Sequence, residues 1–199
     1  LARATDDQDA RAIVLAGAGP VFCAGADVNQ YLDAFDRERV LEEGGRLYDF
    51  LEEVQRCPKP VIARVQRAAF GGAIGLVCAA DMVVAADDTR FSLSEARLGL
   101  VPAVIGPSVV RALGPRQAQA VMLLAEPFGV DEALRIGLIQ RAVPADKLDA
   151  AVDEWVAQIR ANAPTAGADS KRLVADLSSG TLTPDERRTR CITLAADRR

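Results

Sequence analysis

The chain has 199 residues, of which 50% are hydrophobic, 26% charged and 5% aromatic, so it is long and apolar enough for one domain with a real core. Lys and Arg number 24 against 28 Asp and Glu, a formal net charge of −4. We therefore expect neither nucleic acid nor a membrane surface as a partner. The chain has no histidine, which excludes Ser–His–Asp triads, His-ligated zinc and a histidine general base. Acid–base chemistry must come from carboxylates, Lys, Tyr, Cys or water.

The four cysteines, Cys23, Cys57, Cys78 and Cys191, form no Cys-x-x-Cys pair, so neither a zinc knuckle nor a thioredoxin-like redox site is indicated. We expect no metal site, and reduced, mostly buried thiols in a cytoplasmic protein. The sequence has no apolar run of about 20 residues that would span a membrane. Because the first residues are polar and charged, we expect no signal peptide there.

The predicted elements of the first half alternate between strands and helices. Short apolar runs bounded by turns predict strands at 12–16, 61–65, 82–86 and 90–92. An amphipathic helix is predicted over 37–54 and ends before the Pro-Lys-Pro sequence at 58–60. Its apolar side consists of Val40, Leu41, Leu47, Tyr48, Leu51 and Val54. Residues 71–80 are rich in small residues and predict a buried helix that begins with Gly71 and Gly72.

After Glu95 the pattern is helical. Helices are predicted, with glycines between several of them, over 107–113, 115–124, 130–136, 147–163 and 164–177. Trp155, Val156 and Ile159 stand at near-helical spacing and pack either on the chain's own core or against a neighbouring subunit. Strands early and helices late indicate an α/β core followed by a helical region.

The first segment with candidate chemistry is Phe22-Cys-Ala-Gly-Ala-Asp27, which follows the first strand and its turn. Small residues let the backbone approach a ligand closely, so that a free N–H can point outward as a donor. The alternative is a tight strand-to-helix turn with Asp27 as the helix cap.

The second segment, Ala68-Ala-Phe-Gly-Gly-Ala-Ile-Gly75, follows the second predicted strand. A Gly-Gly pair that opens a helix exposes backbone N–H groups at the positive end of the helix dipole. That geometry suits a phosphate or a developing oxyanion, although the segment is neither a Walker loop nor a dinucleotide fingerprint. The alternative is a helix that packs closely through its glycines.

The third segment is Phe91-Ser-Leu-Ser-Glu95, followed by Ala-Arg-Leu-Gly99. Glu95 lies between apolar segments, so its carboxyl group would sit in a partly dry site with a raised pKa, as a general acid/base needs. The alternative is that Ser92 or Ser94 caps a helix whose first turn contains Glu95.

The order and spacing of these segments resemble the enoyl-CoA hydratase/isomerase family, often called the crotonase family. The resemblance extends over essentially the whole chain and is carried by 13–27, 59–63, 69–72, Asp81, 91–95, 97–102 and 133–143. It implies an α/β fold with a crotonase-like spiral of ββα turns over 1–125, followed by a C-terminal helical trimerisation region over 126–199.

The resemblance also implies the ligand and the assembly. The family binds an acyl-CoA thioester and belongs to fatty acid metabolism, so CoA is part of the substrate and no separate cofactor is expected. A homotrimer, or a hexamer made of two trimers, is the expected assembly.

The family polarises the thioester carbonyl with two backbone N–H groups and stabilises the enolate that forms beside it, in an oxyanion hole. By position these catalytic donors are Ala26 and Gly72, and Glu95 matches a catalytic acid/base of the family. The resemblance implies a substrate-binding surface made of Ala24, Ala26, Asp27, Val28, Asn29 and Gly72.

Hydratases of this family usually use two glutamates, and the first of them falls at Gly75 in this chain. Glu95 alone supports hydration if another group or a water network positions the nucleophile, and relatives with Gly at that position look like hydratases of branched or glutaconyl-type substrates. We therefore predict an enoyl-CoA hydratase. One alternative is a Δ3,Δ2-enoyl-CoA isomerase, which needs a single glutamate. Another is a non-catalytic acyl-CoA-binding subunit.

The sequence departs from the family in other places. The family's N-terminal strands, with a loop that holds the CoA adenine and ribose, have no counterpart before Leu1, and we expect the last helix to be shortened after Arg199. Arg67 stands where the family usually has Gly. Lys59, Arg64 and Arg67 are candidates to bind the CoA phosphates, the alternative being an ordinary solvated surface.

Overall fold

A computed structural model describes residues 1–25 and 37–196. Its main sheet has four parallel strands, in the spatial order β1-β2-β4-β6. They are β1 (Ile13–Ala16), β2 (Val61–Val65), β4 (Met82–Ala86) and β6 (Arg141–Val143). Parallel strands covered on both faces read as continuous apolar runs, which explains why β2 and β4 were visible in the sequence.

A smaller two-stranded sheet leads to the candidate site. The strands β3 (Ala68–Phe70) and β5 (Arg90–Ser92) pair in parallel, with Phe70 opposite Ser92. Both strands therefore end side by side, and the segments that follow them start from the same edge of this sheet.

Helices surround the two sheets. They are α1 (Ala2–Asp6), α2 (Arg37–Arg56), α3 (Gly72–Ala79), α4 (Gly106–Leu124), α5 (Val130–Arg135), α6 (Leu148–Ala161), α7 (Pro164–Ser178) and α8 (Pro184–Ala196). Gly114 has φ 72° and ψ 161° inside α4, so the helix breaks where the sequence predicted. No helix in 1–25 or 37–196 has the length and apolarity needed to cross a bilayer.

The core consists of two clusters. The larger one surrounds α3, which buries Ala73, Ile74, Gly75, Val77, Cys78 and Ala79. The smaller one lies where α6 packs on the main sheet, with Leu148 and Val152 against Ile62 and Val84. Trp155, Val156 and Ile159 pack on this second cluster, so of the two alternatives for these side chains the structure supports packing on the chain's own core.

Sequence patterns missed β3, β6 and α8. The strand β6 follows α5 and completes the main sheet, so the expectation of strands only in the first half was wrong for 141–143. Its three residues are all half-buried, and such a short segment carries no apolar run. The predicted apolar side of α2 was also too wide, because Leu41 and Tyr48 are 59% and 42% exposed.

Candidate active site

Gly71 and Gly72 lie where β3 passes into α3. Gly71 has φ 54°, in the left-handed region that glycine adopts readily, and its N–H donates to the Ser92 carbonyl at 2.9 Å. Gly72 is the first residue of α3, and its N–H donates no hydrogen bond to a described residue. Within 1–25 and 37–196, the Gly72 N–H is thus an unused donor at the positive end of a helix.

Backbone hydrogen bonds join Cys23 to β3. The Cys23 N–H donates to the Ala68 carbonyl at 3.1 Å, and the Phe70 N–H donates to the Cys23 carbonyl at 3.1 Å. Gly25 has φ 92°, and a Cβ atom on it would lie 3.1 Å from the Phe70 carbonyl oxygen. The close approach of these backbones therefore requires glycine there.

Of the predicted substrate-binding residues, some lie within the part of the chain that the structure describes and others lie outside it. Ala24 is exposed beside the bridge between Cys23 and Ala69. Ala26, Asp27, Val28 and Asn29 lie outside the described residues, so the predictions for them, including Asp27 as a helix cap, stay predictions.

Glu95 faces the glycine pair. It begins a 3₁₀ turn over Glu95–Leu98, and its Oε1 lies 3.6 Å from where a Cβ atom on Gly71 would be. Its Oε2 is buried and has no hydrogen-bond partner among the described residues. Burial raises the pKa of Glu95, and a hydrogen bond to its own backbone opposes that shift. A partly dry carboxyl group beside a backbone donor is suited to moving a proton.

The chain on both sides of Glu95 is held firmly. Phe91 and Leu93 are buried, and the Leu100 N–H donates to the Glu95 carbonyl at 2.9 Å. Glu95 does lie in a first helical turn, but Ser94 makes no capping hydrogen bond with its side chain. Ser92 contributes instead through its carbonyl, which accepts the Gly71 N–H.

The space beside Gly75, where the resemblance to the family would put a second glutamate, is filled by other side chains. Gly75 lies one turn after Gly72 and is buried. A Cβ atom on Gly75 would lie 2.5 Å from Ile105 Cγ2 and 3.1 Å from Leu51 Cδ1, and interiors packed this densely leave no room for it. Two aliphatic side chains therefore fill the space that a carboxylate at position 75 would enter.

Sequence patterns did not reveal how α2 forms a wall of the site. A Cβ atom on Gly72 would lie 3.4 Å from Leu47 Cδ2, and one on Gly44 would lie 3.2 Å from Val104 Cγ2. The helical spacing of Leu47 and Leu51 indicated a buried side of α2, but no sequence signal showed that this side lies against the glycines of α3.

The three candidate cations have different surroundings. Lys59 Nζ donates to the carbonyls of Ala4 and Asp7 at 2.8 and 2.5 Å, and Arg64 donates to Asp149. These two side chains are engaged within the chain, so the structure gives no support for Lys59 or Arg64 as CoA-phosphate ligands. Arg67 is 69% exposed, 4.0 Å from Asp88.

Comparison with known proteins places the chain in a family. The sequence model described as Enoyl-CoA hydratase/isomerase matches residues 1–189. A protein of Rhodobacter capsulatus named "Probable enoyl-CoA hydratase" is 40% identical over 138 residues, covering 68% of this chain and 53% of that protein. The "Carnitinyl-CoA dehydratase" of Proteus mirabilis is 34% identical over 173 residues, covering 86% of this chain and 66% of that protein.

The fold comparison agrees. The crystal structure of an enoyl-CoA hydratase from Shewanella pealeana superposes with a TM-score of 0.89 at 35% identity, covering 98% of this chain and 73% of that one. The protein is therefore a member of the enoyl-CoA hydratase/isomerase family with the crotonase fold. The chain spans about half the length of the Rhodobacter protein, as the 53% coverage shows.

Proposed function

We propose that the protein adds water to the double bond of a 2-enoyl-CoA thioester, with Glu95 as the acid/base and the N–H groups of Gly72 and Ala26 as the oxyanion hole. The observation that supports this proposal most strongly is the Glu95 carboxyl group beside Gly71, the residue before Gly72, with a buried oxygen that has no described partner. The closed space at Gly75 supports a mechanism that uses this one carboxylate.

In this proposal the thioester carbonyl oxygen accepts the Gly72 N–H, which no described residue uses. Negative charge develops on that oxygen as the enolate forms, and fixed backbone dipoles stabilise it without reorganising. In other enzymes the loss of one such donor costs about 2.7–4 kcal/mol. The reaction needs no cofactor, since CoA belongs to the substrate.

One glutamate is sufficient to take up and return the proton in this reaction. The Glu95 carboxylate takes a proton from water while the water oxygen bonds to the β-carbon of the substrate. The electron pair of the carbon–carbon double bond moves toward the carbonyl and forms the enolate. Protonated Glu95 then gives its proton to the α-carbon, the thioester carbonyl is restored, and Glu95 is a carboxylate again.

The same observation favours a second candidate, a Δ3,Δ2-enoyl-CoA isomerase. Glu95 would take a proton from the α-carbon of a 3-enoyl thioester and return it to the γ-carbon as the double bond moves into conjugation. This reaction passes through a dienolate whose oxygen would accept the same N–H donors, and it needs no water, so a site with a single carboxylate is sufficient for it.

Assays with crotonyl-CoA and a 3-enoyl-CoA test both candidates. For hydration, the wild-type protein turns over crotonyl-CoA, and Glu95→Gln lowers that rate at least about 100-fold while acyl-CoA binding by calorimetry is nearly unchanged. Turnover of the 3-enoyl thioester alone favours the isomerase. Tight binding with no turnover of a broad enoyl-CoA panel indicates a non-catalytic binding subunit, and unchanged activity of the variant removes Glu95 from the mechanism.

We further propose a homotrimer, or a hexamer of two trimers, built with the C-terminal helices. The helices α7 and α8 bury no side chain within the chain, and they expose Val174 and Ile192 at 63% and 52%. Light scattering at micromolar concentration tests this assembly, and a monomeric mass contradicts it.

A further inference from the structure

We infer that Leu47 is a specificity-determining residue that limits the size of the substituent on the α-carbon of the substrate. This inference rests on the proposed function, because it takes the Gly72 N–H as the donor to the thioester carbonyl. It concerns which acyl groups the site accepts, and it assigns that choice to one side chain of α2.

The first argument is distance. A carbonyl oxygen that accepts the Gly72 N–H lies about 2.9 Å from that nitrogen. Leu47 Cδ2 lies 3.4 Å from where a Cβ atom on Gly72 would be, so the leucine methyl group and a carbonyl oxygen bound to the Gly72 N–H both adjoin the same residue. The α-carbon is bonded directly to the carbonyl carbon, so a substituent on it belongs to the part of the acyl group that lies beside Gly72 and Leu47.

The second argument is exposure. Leu51 and Ile105 also line this region, but each is only 2% exposed, and they fill the space over Gly75. Leu47 is half-buried. Of these three aliphatic side chains, Leu47 is therefore the one with surface left for a ligand.

The third argument is rigidity. Leu47 stands one turn after Gly44, whose missing side chain lets α2 approach Val104, and one turn before the buried Leu51. The position of Leu47 is thus set by a packed helix, and helices hold binding groups more precisely than loops do. A wall of this kind discriminates by size because it does not yield to a larger substituent.

The predicted preference is for acyl groups that are unbranched at the α-carbon. Discrimination of one methyl group in an apolar pocket is about 10- to 200-fold in other enzymes. Replacing Leu47 by Ala removes three carbon atoms and leaves room for such a methyl group, whereas Phe at this position reduces the room further.

The experiment compares kcat/KM for crotonyl-CoA and 2-methylcrotonyl-CoA in the wild-type chain, Leu47→Ala and Leu47→Phe. The ratio of branched to unbranched substrate should rise at least about tenfold in Leu47→Ala and fall in Leu47→Phe. Leu177→Ala is the matched control, since Leu177 is a 38% exposed leucine on α7, and its ratio should equal that of the wild type. Leu47→Val, which removes one carbon atom, replaces Leu47→Ala if the latter does not fold, and the ratio should again rise.

A ratio that stays within about twofold of wild type in every folded Leu47 variant overturns the inference, since it falls below the effect of one methyl group. Failure of the proposed function is distinguishable, because it appears as no turnover of crotonyl-CoA by the wild-type chain. In that case the dissociation constants of butyryl-CoA and 2-methylbutyryl-CoA, measured by calorimetry, take the place of kcat/KM, with the same expected shift and the same contradicting result.

Discussion

The helices α3 and α7 use glycine in opposite circumstances. The site helix α3 buries six of its eight residues, and a Cβ atom on its Gly75 would collide with Ile105. The helix α7, in the C-terminal part of the chain, buries none of its residues. A Cβ atom on its Gly167 would have nothing within 4 Å. Glycine is therefore a packing requirement in α3, whereas in α7 it only lowers helix propensity.

The two regions are also held by different forces. Apolar burial holds α3, whereas α7 is joined to the core through Lys171. Its Nζ lies 2.8 Å from Asp81 Oδ2 and also donates to the carbonyls of Val54 and Lys59 at 3.3 and 3.4 Å. The comparison predicts that the two regions respond differently to the same kinds of substitution.

The largest expected effect is that of Gly75→Glu. The new side chain enters space filled by Ile105 and Leu51, and overpacking combined with a buried charge should lower the free energy of unfolding by at least about 3 kcal/mol. Urea denaturation measures the loss. Gly75→Glu combined with Ile105→Ala should recover part of it, and a single variant as stable as wild type contradicts the close packing at Gly75.

A smaller loss is expected from Lys171→Met. The substitution leaves the partly buried Asp81 carboxylate with the Val61 N–H at 2.7 Å and without its cation, at a cost of about 1–2 kcal/mol. Lys147→Met is the control, because Lys147 and Asp146 have side chains 67% and 72% exposed and such surface pairs contribute little. Equal denaturation midpoints for the two variants would show that Lys171 does not hold α7.

Gly45→Ala and Gly167→Ala should each stabilise the protein by about 1 kcal/mol or less. Both glycines lie inside helices with nothing within 4 Å of an added Cβ atom, so helix propensity alone should decide the outcome. Thermal unfolding measures both variants. A destabilised Gly45→Ala or Gly167→Ala would contradict the open space around that glycine.

The smallest effects concern two glutamates with opposite pKa shifts. Burial raises the pKa of Glu95, whereas hydrogen bonds from the Thr183 side chain and backbone lower the pKa of Glu186 at the start of α8. Charged Glu95 therefore destabilises the fold as pH rises above the ordinary value of 4.5, because the folded state binds more protons than the unfolded state there. Charged Glu186 stabilises the fold above that value, and this contribution is lost as pH falls below it.

At pH 7, Glu95→Gln should thus be slightly more stable than wild type, and Glu186→Gln slightly less stable. Both differences should shrink as the pH is lowered through the range where carboxylates take up protons. Denaturation series from pH 3.5 to pH 8 test this expectation. If Glu95→Gln and Glu186→Gln changed the stability at pH 7 in the same direction, the opposite pKa shifts of Glu95 and Glu186 would be contradicted.

Long periodic elements and the glycine pair could be predicted from the sequence. The helix over 37–54 and the strand over 61–65 were found within two residues of their observed ends, because periodicity and proline breaks define such elements locally. The structure brings Glu95 beside Gly71, the residue before Gly72, and the catalytic roles of Gly72 and Glu95 stay predictions. The three-residue strands β3 and β6 were missed, although β5, of the same length, was predicted at 90–92. The residues of β6 are all half-buried and form no apolar run.

Contacts between distant segments could not be predicted. Leu47 against Gly72, and Ile105 against Gly75, join residues that only the fold brings together. The backbone angle of Arg67 could not be predicted either. Its φ is 57°, in the left-handed region that disfavours side chains, which explains why the family usually has glycine at this position. The sequence showed that Arg67 departs from the family but not that its backbone is left-handed.

The pairing of Gly75 with Ile105 has a consequence for the mutational routes open to this chain. A single substitution that adds a carboxylate at position 75 meets Ile105, and a single substitution that shortens Ile105, which is 2% exposed, leaves a cavity that costs about 2–5 kcal/mol. Each of these two single variants is thus expected to be less stable than the present chain. We therefore expect a carboxylate at position 75 to be tolerated only together with a smaller residue at position 105.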